Sequence, residues 1–561
     1  MKINRLLLPL LASFLFALWT HRDELADKYA FYDDAGMYYL LRAQVDPGSM
    51  KNDLLVRAFG DGALSGAGGV RILSGFMLPV EKAAAKALGL REMLLSKAIL
   101  LQTVTGVAAL ALGRSLGFGG WAWGFLALFM AYFSSTNVFF GGLHREYAPL
   151  LCMALYYCAE KGLIAGALAV SAGFYAFYGA SLPFSCCVVM LLLVGSADTK
   201  PRRYGWLLLA LFAAVPFILR SLRPDIISGL SIAFAWKGSL NVEGLLPPEI
   251  YLFNVNDHGG MYKWYTWSLL AASGASLYLY RAAGPARIPR GDRLFFGAMA
   301  LSFAWAWSLD PGFSSRQVVY SLPLLLALCP FRYLIAAAPG RMRGAALWGM
   351  TALPLLAFLS FKSDLGGIAH VSQVTMRAVA ALPRDSVVFA HPETARLLGF
   401  FTGRAPYSNE RWETALCGLI QSPLCEEARD RDRKAFEIYY SASPRAVAGF
   451  AGASGVTHFL AEEEFYLPDY FERRLGHRYR FCGRSAQARA AGGSALLDLA
   501  RKQGVKLESG VWLLEAGRLA ATGTPEEVFT TDRVTRLYGA GLRAWHRGGR
   551  HAVLPGEDAH D

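Results

Sequence analysis

The feature that most constrains the fold is a series of apolar runs that recurs between about residues 93 and 361. Short polar breaks separate the runs, and each is near the length that spans a hydrocarbon core. Of the 561 residues, 54% are hydrophobic and only 18% are charged. Because a soluble protein has little use for so many long apolar runs, the sequence predicts an α-helical polytopic membrane protein.

We predict about eleven transmembrane helices from the length and hydropathy of these runs. The first run covers residues 6–19 and follows Lys2 and Arg5. No small-x-small cleavage site follows it, which favours an uncleaved span over a signal peptide. The other predicted spans are residues 93–113, 121–138, 147–159, 162–178, 181–195, 204–219, 263–280, 294–309, 317–331 and 344–361.

Loop charges predict the orientation. If the N-terminus is cytoplasmic, the opposite short loops hold only Arg145 and Arg316, in agreement with the positive-inside rule. The inside clusters are then Arg114; Lys161; Lys200, Arg202 and Arg203; Arg281, Arg287, Arg290 and Arg293; and Arg332, Arg341 and Arg343. Residues 21–92, the loop 220–262 and the C-terminal portion are exported. Membrane topology therefore explains the net charge of +13, and we predict no nucleic-acid binding.

Two adjacent carboxylates, Asp33 and Asp34, open the exported region. They follow the first apolar run and precede an aromatic-rich, helix-like segment that ends near Gln44. Adjacent aspartates repel each other, so we expect a protein that keeps both near a low-dielectric boundary to use at least one. The alternative is that one of them, Asp34 in particular, caps the helix that starts near Ala35.

Exported basic residues are candidates for a phosphate site, because a guanidinium binds phosphate through two parallel hydrogen bonds. Arg145 is the first candidate, followed by Arg316 and by His144. Contact with lipid headgroups or a salt bridge is the alternative for the arginines, and an ordinary interfacial role is the alternative for the histidine. Further candidates in and beside the loop 220–262 are Asp257, His258 and Lys263.

Five of the eight cysteines lie in apolar runs, where they are most simply small core residues. Cys417 and Cys425 are close enough in sequence for a disulfide if they face an oxidising compartment, which would leave Cys482 unpaired. No Cys/His spacing in the chain resembles a zinc site.

From about residue 363 the pattern changes to alternating helices and strands. A helix is expected over residues 371–382, a strand over 386–390, a helical run over 427–450 and a strand over 456–461. This pattern predicts a small periplasmic α/β domain over residues 363–475. It contains no nucleophile elbow, phosphate-binding glycine loop or metal motif, so we interpret it as a lid or acceptor platform.

Residues 510–529, continuing to residue 539, resemble the end of an ABC-transporter ATPase. In that family this segment follows the nucleotide-binding core, but no G-x-x-x-x-G-K-[ST] motif occurs anywhere in the chain. We therefore interpret residues 476–561 as a non-catalytic tail, with residues 487–504 as its junction, and predict no ATPase activity.

The order of these features resembles the GT-C superfamily of integral-membrane glycosyltransferases, over roughly residues 1–475. The first 362 residues correspond to its transmembrane domain, and the exported loop 21–92 carries the acidic pair. The matching motifs are Asp33-Asp34 with Tyr38-Tyr39, Asp46-Pro47-Gly48-Ser49-Met50-Lys51-Asn52-Asp53, Gly142-Leu143-His144-Arg145 and Phe401-Thr402-Gly403-Arg404.

The resemblance implies a bacterial inner-membrane enzyme that transfers a sugar from a polyprenyl-phosphate donor to an exported glycan, lipid or protein, with inversion. Asp33 or Asp34 would act as general base on the acceptor hydroxyl, and an arginine would stabilise the departing lipid phosphate. Some members need a divalent metal and others none. With only this acidic pair near the site, we predict no metal and no cofactor. The alternatives are a transporter or lipid flippase, and a non-catalytic scaffold that binds lipid phosphate.

Overall fold

The computed structural model describes residues 4–26, 39–46, 48–60, 78–134, 146–223, 260–282, 288–309, 311–318, 320–337, 340–360, 372–409, 416, 423–467, 494–509, 511–516, 542–547 and 550–555. The protein is mostly α-helical and has a small sheet, which confirms the α-helical class. It divides into two compact units. The first comprises Met1–Leu41, Leu64–His370 and Cys417–Gln421, and the second comprises Arg42–Ala63, Val371–Leu416 and Ser422–Asp561.

The first unit is a helical bundle. Described helices coincide with most of each predicted apolar run, except that the run 317–331 is divided between two helices and residues 135–138 lie outside the described residues. In chain order the α-helices from Asn4 to Ser360 are α1 (Asn4–Thr20), α2 (Arg22–Ala26), α3 (Tyr39–Val45), α4 (Leu54–Gly60), α5 (Leu78–Leu88), α6 (Leu90–Ser115), α7 (Ala122–Ser134), α8 (Tyr147–Lys161), α9 (Ile164–Phe177), α10 (Leu182–Val194), α11 (Thr199–Leu222), α12 (Gly260–Ala282), α13 (Arg290–Leu309), α14 (Pro311–Val318), α15 (Ser321–Ala337) and α16 (Gly340–Ser360). Of these, α3 lies partly and α4 wholly in the second unit.

Aromatic side chains of α7 lie in the core of the bundle. Phe125, Phe129 and Phe133 recur every four residues, so they share one helix face, and all three are buried. Phe125 meets Phe331 of α15 edge to face, with 5.8 Å between the ring centroids. This spacing is typical of favourable aromatic pairs and fixes α7 against α15.

Several peripheral helices expose large apolar side chains. On α11, Phe217 and Leu222 are each 73% exposed, and Trp206 is 58% exposed. Other large apolar side chains that are at least half exposed include Leu7, Leu8, Leu11 and Leu15 on α1, Leu168 and Tyr175 on α9, Tyr278 on α12, and Met342, Trp348, Leu353 and Leu356 on α16. Soluble monomers rarely expose apolar surface on this scale.

Two of the described helices, Leu90–Ser115 and Thr199–Leu222, are long and apolar enough to cross a membrane. Four shorter stretches are apolar as well: Leu7–Thr20, Ile164–Phe177, Gly179–Val194 and Ser321–Ala337. Helices are thus observed where the sequence predicts spans. By length and composition, however, two of the described helices qualify as spans, which is fewer than the eleven predicted.

The second unit contains a five-stranded mixed sheet in the order β2-β1-β3-β5-β4. Strands β2, β1 and β3 are parallel to one another, and β5 pairs antiparallel with both β3 and β4. The elements are α17 (Gln373–Ala380), β1 (Val387–Phe389), α18 (Pro392–Thr402), β2 (Ala405–Pro406), α19 (Cys425–Tyr439), α20 (Pro444–Ala453), β3 (His458–Glu462), α21 (Ala495–Gln503), β4 (Val505–Glu508) and β5 (Val511–Glu515). A separate hairpin joins β6 (Leu542–Arg547) to β7 (Arg550–Pro555).

The helices and strands predicted for residues 371–390 and 456–461 are confirmed. The predicted helical run 427–450 is instead two helices, α19 and α20. Ser443 begins the second of these as its N-cap, and Pro444 follows in the first turn, where a missing N–H costs nothing.

The predicted tail, residues 476–561, contributes strands to the sheet, so the second unit extends beyond the predicted domain boundary at residue 475. Strands β4 and β5 belong to the five-stranded sheet, and α21 buries Leu496 and Ala500 completely. Glu508 of β4 accepts hydrogen bonds from Ser372 and, at 2.6 Å, from Thr375 at the start of α17. Residues 487–504 are therefore not a simple junction, because their last part is a packed helix.

Residues 21–92, predicted to be an exported loop of the domain 1–362, are divided between the two units. Residues Arg42–Ala63 belong to the second unit, and the unit boundary falls within α3. Met50 and Leu54 in this segment are fully buried. The hydrophobic side chains of a short segment, rather than its position in the chain, decide which unit it joins.

Candidate functional site

Most of the predicted site residues lie outside the described residues. This holds for Asp33, Asp34, His144, Arg145, Asp257 and His258. Lys263 lies in the first turn of α12. Arg316 lies on α14, and its side chain is described. The described part of the candidate site therefore consists of the helix ends next to the undescribed segments.

The ends of α1 and α7 are joined by Gln102. The buried amide of Gln102 on α6 donates to Thr20 Oγ1 at the end of α1, over 2.9 Å, and to Ser134 Oγ at the end of α7, over 2.7 Å. The acidic pair follows α1 and α2 in the chain, and His144 and Arg145 follow α7. The described helix ends α1 and α7, which precede these segments in the chain, are therefore neighbours.

A second polar contact joins α5, α6 and α8 at this end. Lys97 Nζ lies 2.5 Å from Glu81 Oε1, and both side chains are largely buried. The same ammonium lies 5.4 Å from the ring centroid of Tyr147, the first residue of α8, which is a cation–π distance. The sequence directly before this helix carries Arg145 and the buried Glu146.

Two buried carboxylate oxygens at this end, Glu24 Oε1 and Glu81 Oε2, have no hydrogen-bond partner among the described residues. Glu24 lies on α2, the short helix after α1, and its other oxygen contacts the ring of the buried His21. Buried carboxylate oxygens normally have partners. Together with Gln102 and Lys97, these groups make this the polar end of the bundle.

Arg316 also lies at the polar end. Its Nη1 donates to Tyr178 Oη over 3.3 Å, and its backbone oxygen accepts from Ser181 Oγ over 2.7 Å. Tyr178 directly follows α9, whose Phe177 stacks on Tyr147 with 4.4 Å between the ring centroids. The end of α9 and the start of α8 are thereby adjacent, and Arg316 is next to them.

The opposite end of the bundle carries the basic residues. Arg332 at the end of α15 pairs with Glu160 at the end of α8, and the backbone N–H of Gly291, at the start of α13, donates to Glu160 Oε2 over 2.7 Å. Arg343 donates to the carbonyl oxygen of Ile335 over 3.2 Å, which places the start of α16 here. Other described basic residues at the helix ends on this side are Arg114, Lys161, Lys200, Arg202, Arg203, Arg281, Arg290, Arg293 and Arg341. We call this the basic end.

A buried aspartate completes the network at the basic end. Asp292 is fully buried and accepts hydrogen bonds from the hydroxyls of Tyr156 and Tyr333, the latter over 2.6 Å. Arg332 Nη1 lies 3.7 Å from Asp292 Oδ1. Both carboxylate oxygens therefore have partners, which fits a clamp that joins α8, α13 and α15.

Two of the sequence motifs that carry the resemblance lie in the second unit. Gly403 follows α18 with φ +69, and Arg404 donates to the carbonyl oxygens of Ala380 and Leu382 just beyond α17. Burial and the nearby charge of Arg384 lower the pKa of Arg404 from its ordinary value. In the other motif Asp53 caps α4, accepting from the N–H groups of Leu55 and Val56 over 2.9 and 3.0 Å. Both motifs thus have structural roles here.

The sequence prediction missed the polar groups inside the apolar runs. Lys97 and Gln102 interrupt the run 93–113, and a polar side chain in such a run indicates a buried interaction. Glu24, Glu81 and Glu146 gave no comparable signal, because only the packing buries them.

Cys425 is disulfide-bonded, as the predicted pairing with Cys417 requires, and Cys417 itself lies outside the described residues. The cysteines of the apolar runs are free. Within the described ranges, no group of three or more His, Cys, Asp or Glu residues is placed to hold a metal ion.

Neither any protein-family model nor any curated protein matches the chain.

Proposed function

We propose that the protein is a membrane glycosyltransferase that moves a sugar from a polyprenyl-phosphate donor to an exported acceptor. One observation carries the proposal: Gln102 joins the end of α1, which with α2 precedes the acidic loop in the chain, to the end of α7, which precedes the His144–Arg145 loop. A carboxylate base and a guanidinium are the two groups that this chemistry needs, and we infer that the loops that carry them lie at the same end of the bundle.

Membrane embedding is supported by the exposed apolar side chains of the outer helices. A bilayer would cover Phe217, Leu222 and Trp348, which water would otherwise contact. Some helices are too short, by length alone, to span a bilayer. They pack against longer helices in the same bundle. We propose on this basis that the helical unit is polytopic, with about eleven spans as the apolar runs indicate.

The separation of charge between the two ends supports an orientation. The basic end would face the cytoplasm under the positive-inside rule, and the polar end would then face the periplasm. The disulfide at Cys425 supports export of the second unit, because disulfides persist in oxidising compartments. The proposed location is the bacterial inner membrane.

The proposed reaction is a single displacement with inversion at the sugar. Asp33 or Asp34 would take the proton from the acceptor hydroxyl as that oxygen attacks the anomeric carbon. The bond from the anomeric carbon to the lipid phosphate oxygen breaks, and the phosphate leaves with its added negative charge. Arg145, with His144 beside it, and Arg316 would stabilise that charge. Asp257, His258 and Lys263 remain further candidates, and no metal is part of the proposal.

The transporter alternative would draw on the buried ionisable groups at the basic end, since such groups mark ion pathways in membrane proteins. Here Asp292 has a tyrosine hydroxyl on each oxygen, and Arg332 bridges it to Glu160. Each described carboxylate oxygen of this network has a hydrogen-bond or ion-pair partner. The network therefore fits a structural clamp better than the ion-binding site of a transporter, which must bind and release its ion.

The first test uses the purified full-length protein and a panel of polyprenyl-phosphate sugars, with release of the lipid phosphate as the measurement. Asp33→Asn and Asp34→Asn are made separately and together, because an amide cannot accept the proton. We expect at least one substitution to lower the rate at saturating donor by about 100-fold or more, the usual contribution of a general base.

Asp46→Asn is the matched control. Asp46 lies in the same exported segment and forms a solvent-exposed ion pair with Arg384, at 3.6 Å. Because such pairs contribute little to stability, the control should transfer sugar at the wild-type rate. Full activity in the double variant, while the protein stays folded, would refute the proposed function.

A further inference from the structure

Glu81 on α5 is a buried carboxylate that has a described partner on only one of its two oxygens. The residue is 4% exposed, and its Oε1 lies 2.5 Å from Nζ of Lys97 on α6. Its Oε2 is buried and has no hydrogen-bond partner among the described residues. Because a buried acceptor without a donor is costly, such oxygens normally have a partner. This oxygen therefore points to a donor that a ligand supplies.

Lys97 holds the carboxylate in place. Its ammonium also lies 5.4 Å from the ring centroid of Tyr147, and this ring stacks on Phe177 with 4.4 Å between the ring centroids. An ionised carboxylate in apolar surroundings needs an opposite charge beside it, which the ammonium supplies. Contacts among α5, α6, α8 and α9 thus fix Glu81 as a charged hydrogen-bond acceptor. Tyr147 is partly exposed, so the cluster reaches the surface of the bundle.

The donor that suits Oε2 is a neutral hydroxyl group. The ammonium of Lys97 already balances the charge of Glu81, so a second cation would leave an excess positive charge in apolar surroundings. A hydroxyl adds no charge, and its hydrogen bond to an ionised oxygen is stronger than one between neutral groups. Sugars are ligands that present several such hydroxyls.

The helix that carries Glu81 also presents apolar side chains outward. Val80 and Leu88 are each 57% exposed, whereas Glu81 and Ala85, four residues apart, share the buried face. A helix with this pattern fits the boundary of a bilayer, with its exposed face against lipid. A sugar whose lipid chain lies in the bilayer is therefore the hydroxyl-bearing ligand that matches both faces of α5.

We propose that Glu81 is a sugar-binding residue whose Oε2 accepts a hydrogen bond from a hydroxyl of the sugar on the polyprenyl-phosphate donor. The inference rests on the proposed function for the identity of the lipid. It adds a contact to the sugar itself, whereas the acidic pair and the arginines are assigned to the acceptor hydroxyl and the phosphate. A site that binds a hydroxyl discriminates against a ligand that lacks it, because the buried acceptor then stays unpaired.

The test measures binding to the purified full-length protein without any acceptor. The probes are polyprenyl phosphates that carry mannose, glucose or arabinose, and polyprenyl methyl phosphate, which has the same phosphodiester charge but no sugar. We expect the wild-type protein to bind at least one sugar-bearing lipid about 10-fold more tightly than the methyl ester, as one hydrogen bond to a charged group allows.

Glu81→Gln keeps the size of the side chain but removes the charge that strengthens the hydrogen bond. We expect the preference for the sugar to fall to about 3-fold or less, and the Kd of polyprenyl methyl phosphate to stay within about two-fold. The double variant Glu81→Gln/Lys97→Met leaves no unpaired buried ammonium, which guards against misfolding of the single variant. It should lack the preference as well.

Glu160→Gln is the matched control in the same unit. Glu160 pairs with Arg332, and both side chains are 17% exposed, so the same substitution breaks a similar ion pair at the basic end. We expect it to lower the melting temperature about as much as Glu81→Gln does, because each substitution leaves a partly buried cation without its partner. The preference for the sugar should stay at the wild-type value.

Three results would overturn the inference. They are a wild-type protein without preference for any of the sugars, a preference that persists in Glu81→Gln and in the double variant, and an equal loss of preference in Glu81→Gln and Glu160→Gln. The proposed function fails separately, if Asp33→Asn and Asp34→Asn leave sugar transfer intact. In that case a loss of preference confined to the Glu81 variants would still support the sugar contact.

Discussion

At the scale of single residues, a few polar side chains in apolar surroundings decide how the helix ends are arranged. Gln102 is fully buried and donates to two hydroxyls on two other helices. A hydrogen bond in such surroundings contributes little net free energy when it is made, but leaving a buried group without its partner is costly. This asymmetry explains why a single amide can hold three helices in register.

Replacing Gln102 with leucine should therefore destabilise the bundle. The substitution leaves the hydroxyls of Thr20 and Ser134 without this donor, and we expect the free energy of unfolding to fall by about 1–3 kcal/mol. Thermal unfolding of the purified protein in detergent measures the change. Ser115→Ala on the same helix is the control, since Ser115 Oγ bonds only the preceding turn at Leu112 O. Equal melting temperatures for Gln102→Leu and wild type would contradict the prediction.

At the scale of elements, the second unit is held by segments that are far apart in sequence. Strand β5 lies between β3 and β4 and pairs with His458–Glu462 along its full length. Helix α21 packs Leu496 into the same core. Because a central strand contributes hydrogen bonds on both sides, the sheet depends on residues that the sequence assigns to an appended tail.

Two truncations of the full chain should separate the sheet from the rest of the tail. Ending the chain after Gln503 removes β4 and β5 and should unfold the second unit, because β3 loses its antiparallel neighbour. Ending it after Ala516 keeps the whole sheet and should leave the unit folded. Limited proteolysis of the membrane-inserted protein distinguishes these outcomes, and equal protease resistance in the two truncations would contradict this account.

At the scale of the whole molecule, the charges of the helical unit separate into two ends. The ends of α8 and α15 and the start of α13 share the network of Glu160, Arg332 and Asp292. Thr20, Ser134 and Arg316 lie at the other end. In a bilayer this separation would set the orientation, since the membrane holds the two ends in different compartments.

Labelling of single added cysteines tests that orientation in intact cells. We expect a membrane-impermeant maleimide to label Ala442→Cys, an exposed residue of the second unit, without permeabilisation. It should label Lys200→Cys, an exposed residue at the start of α11, only after the inner membrane is opened. The wild-type protein, whose described free cysteines are buried or half-buried, serves as the background control. Labelling of Lys200→Cys in intact cells would reverse the proposed topology.

The sequence by itself determined the helices and much of the small sheet. Apolar runs predict helices because a long run with no alternation can bury its surface only as a helix in a bundle, and the described residues of these runs are mostly helical, with the run 317–331 divided between α14 and α15. Strands β1 and β3 follow in the same way from short apolar segments between turn residues. The assignment of Arg316 to the donor phosphate stays a prediction, and its side chain contacts the hydroxyl of Tyr178.

Only the tertiary structure decided which distant segments pack together. No local pattern shows that Arg42 caps α18, that β5 enters the sheet beside β3, or that Glu24 and Glu81 are buried at the polar end. The physical reason is that helix propensity and hydropathy are properties of a residue and its near neighbours. Hydrogen bonds between Gln102 and Thr20, or between Arg42 and Phe400, depend instead on where the folded chain brings residues that are far apart in sequence.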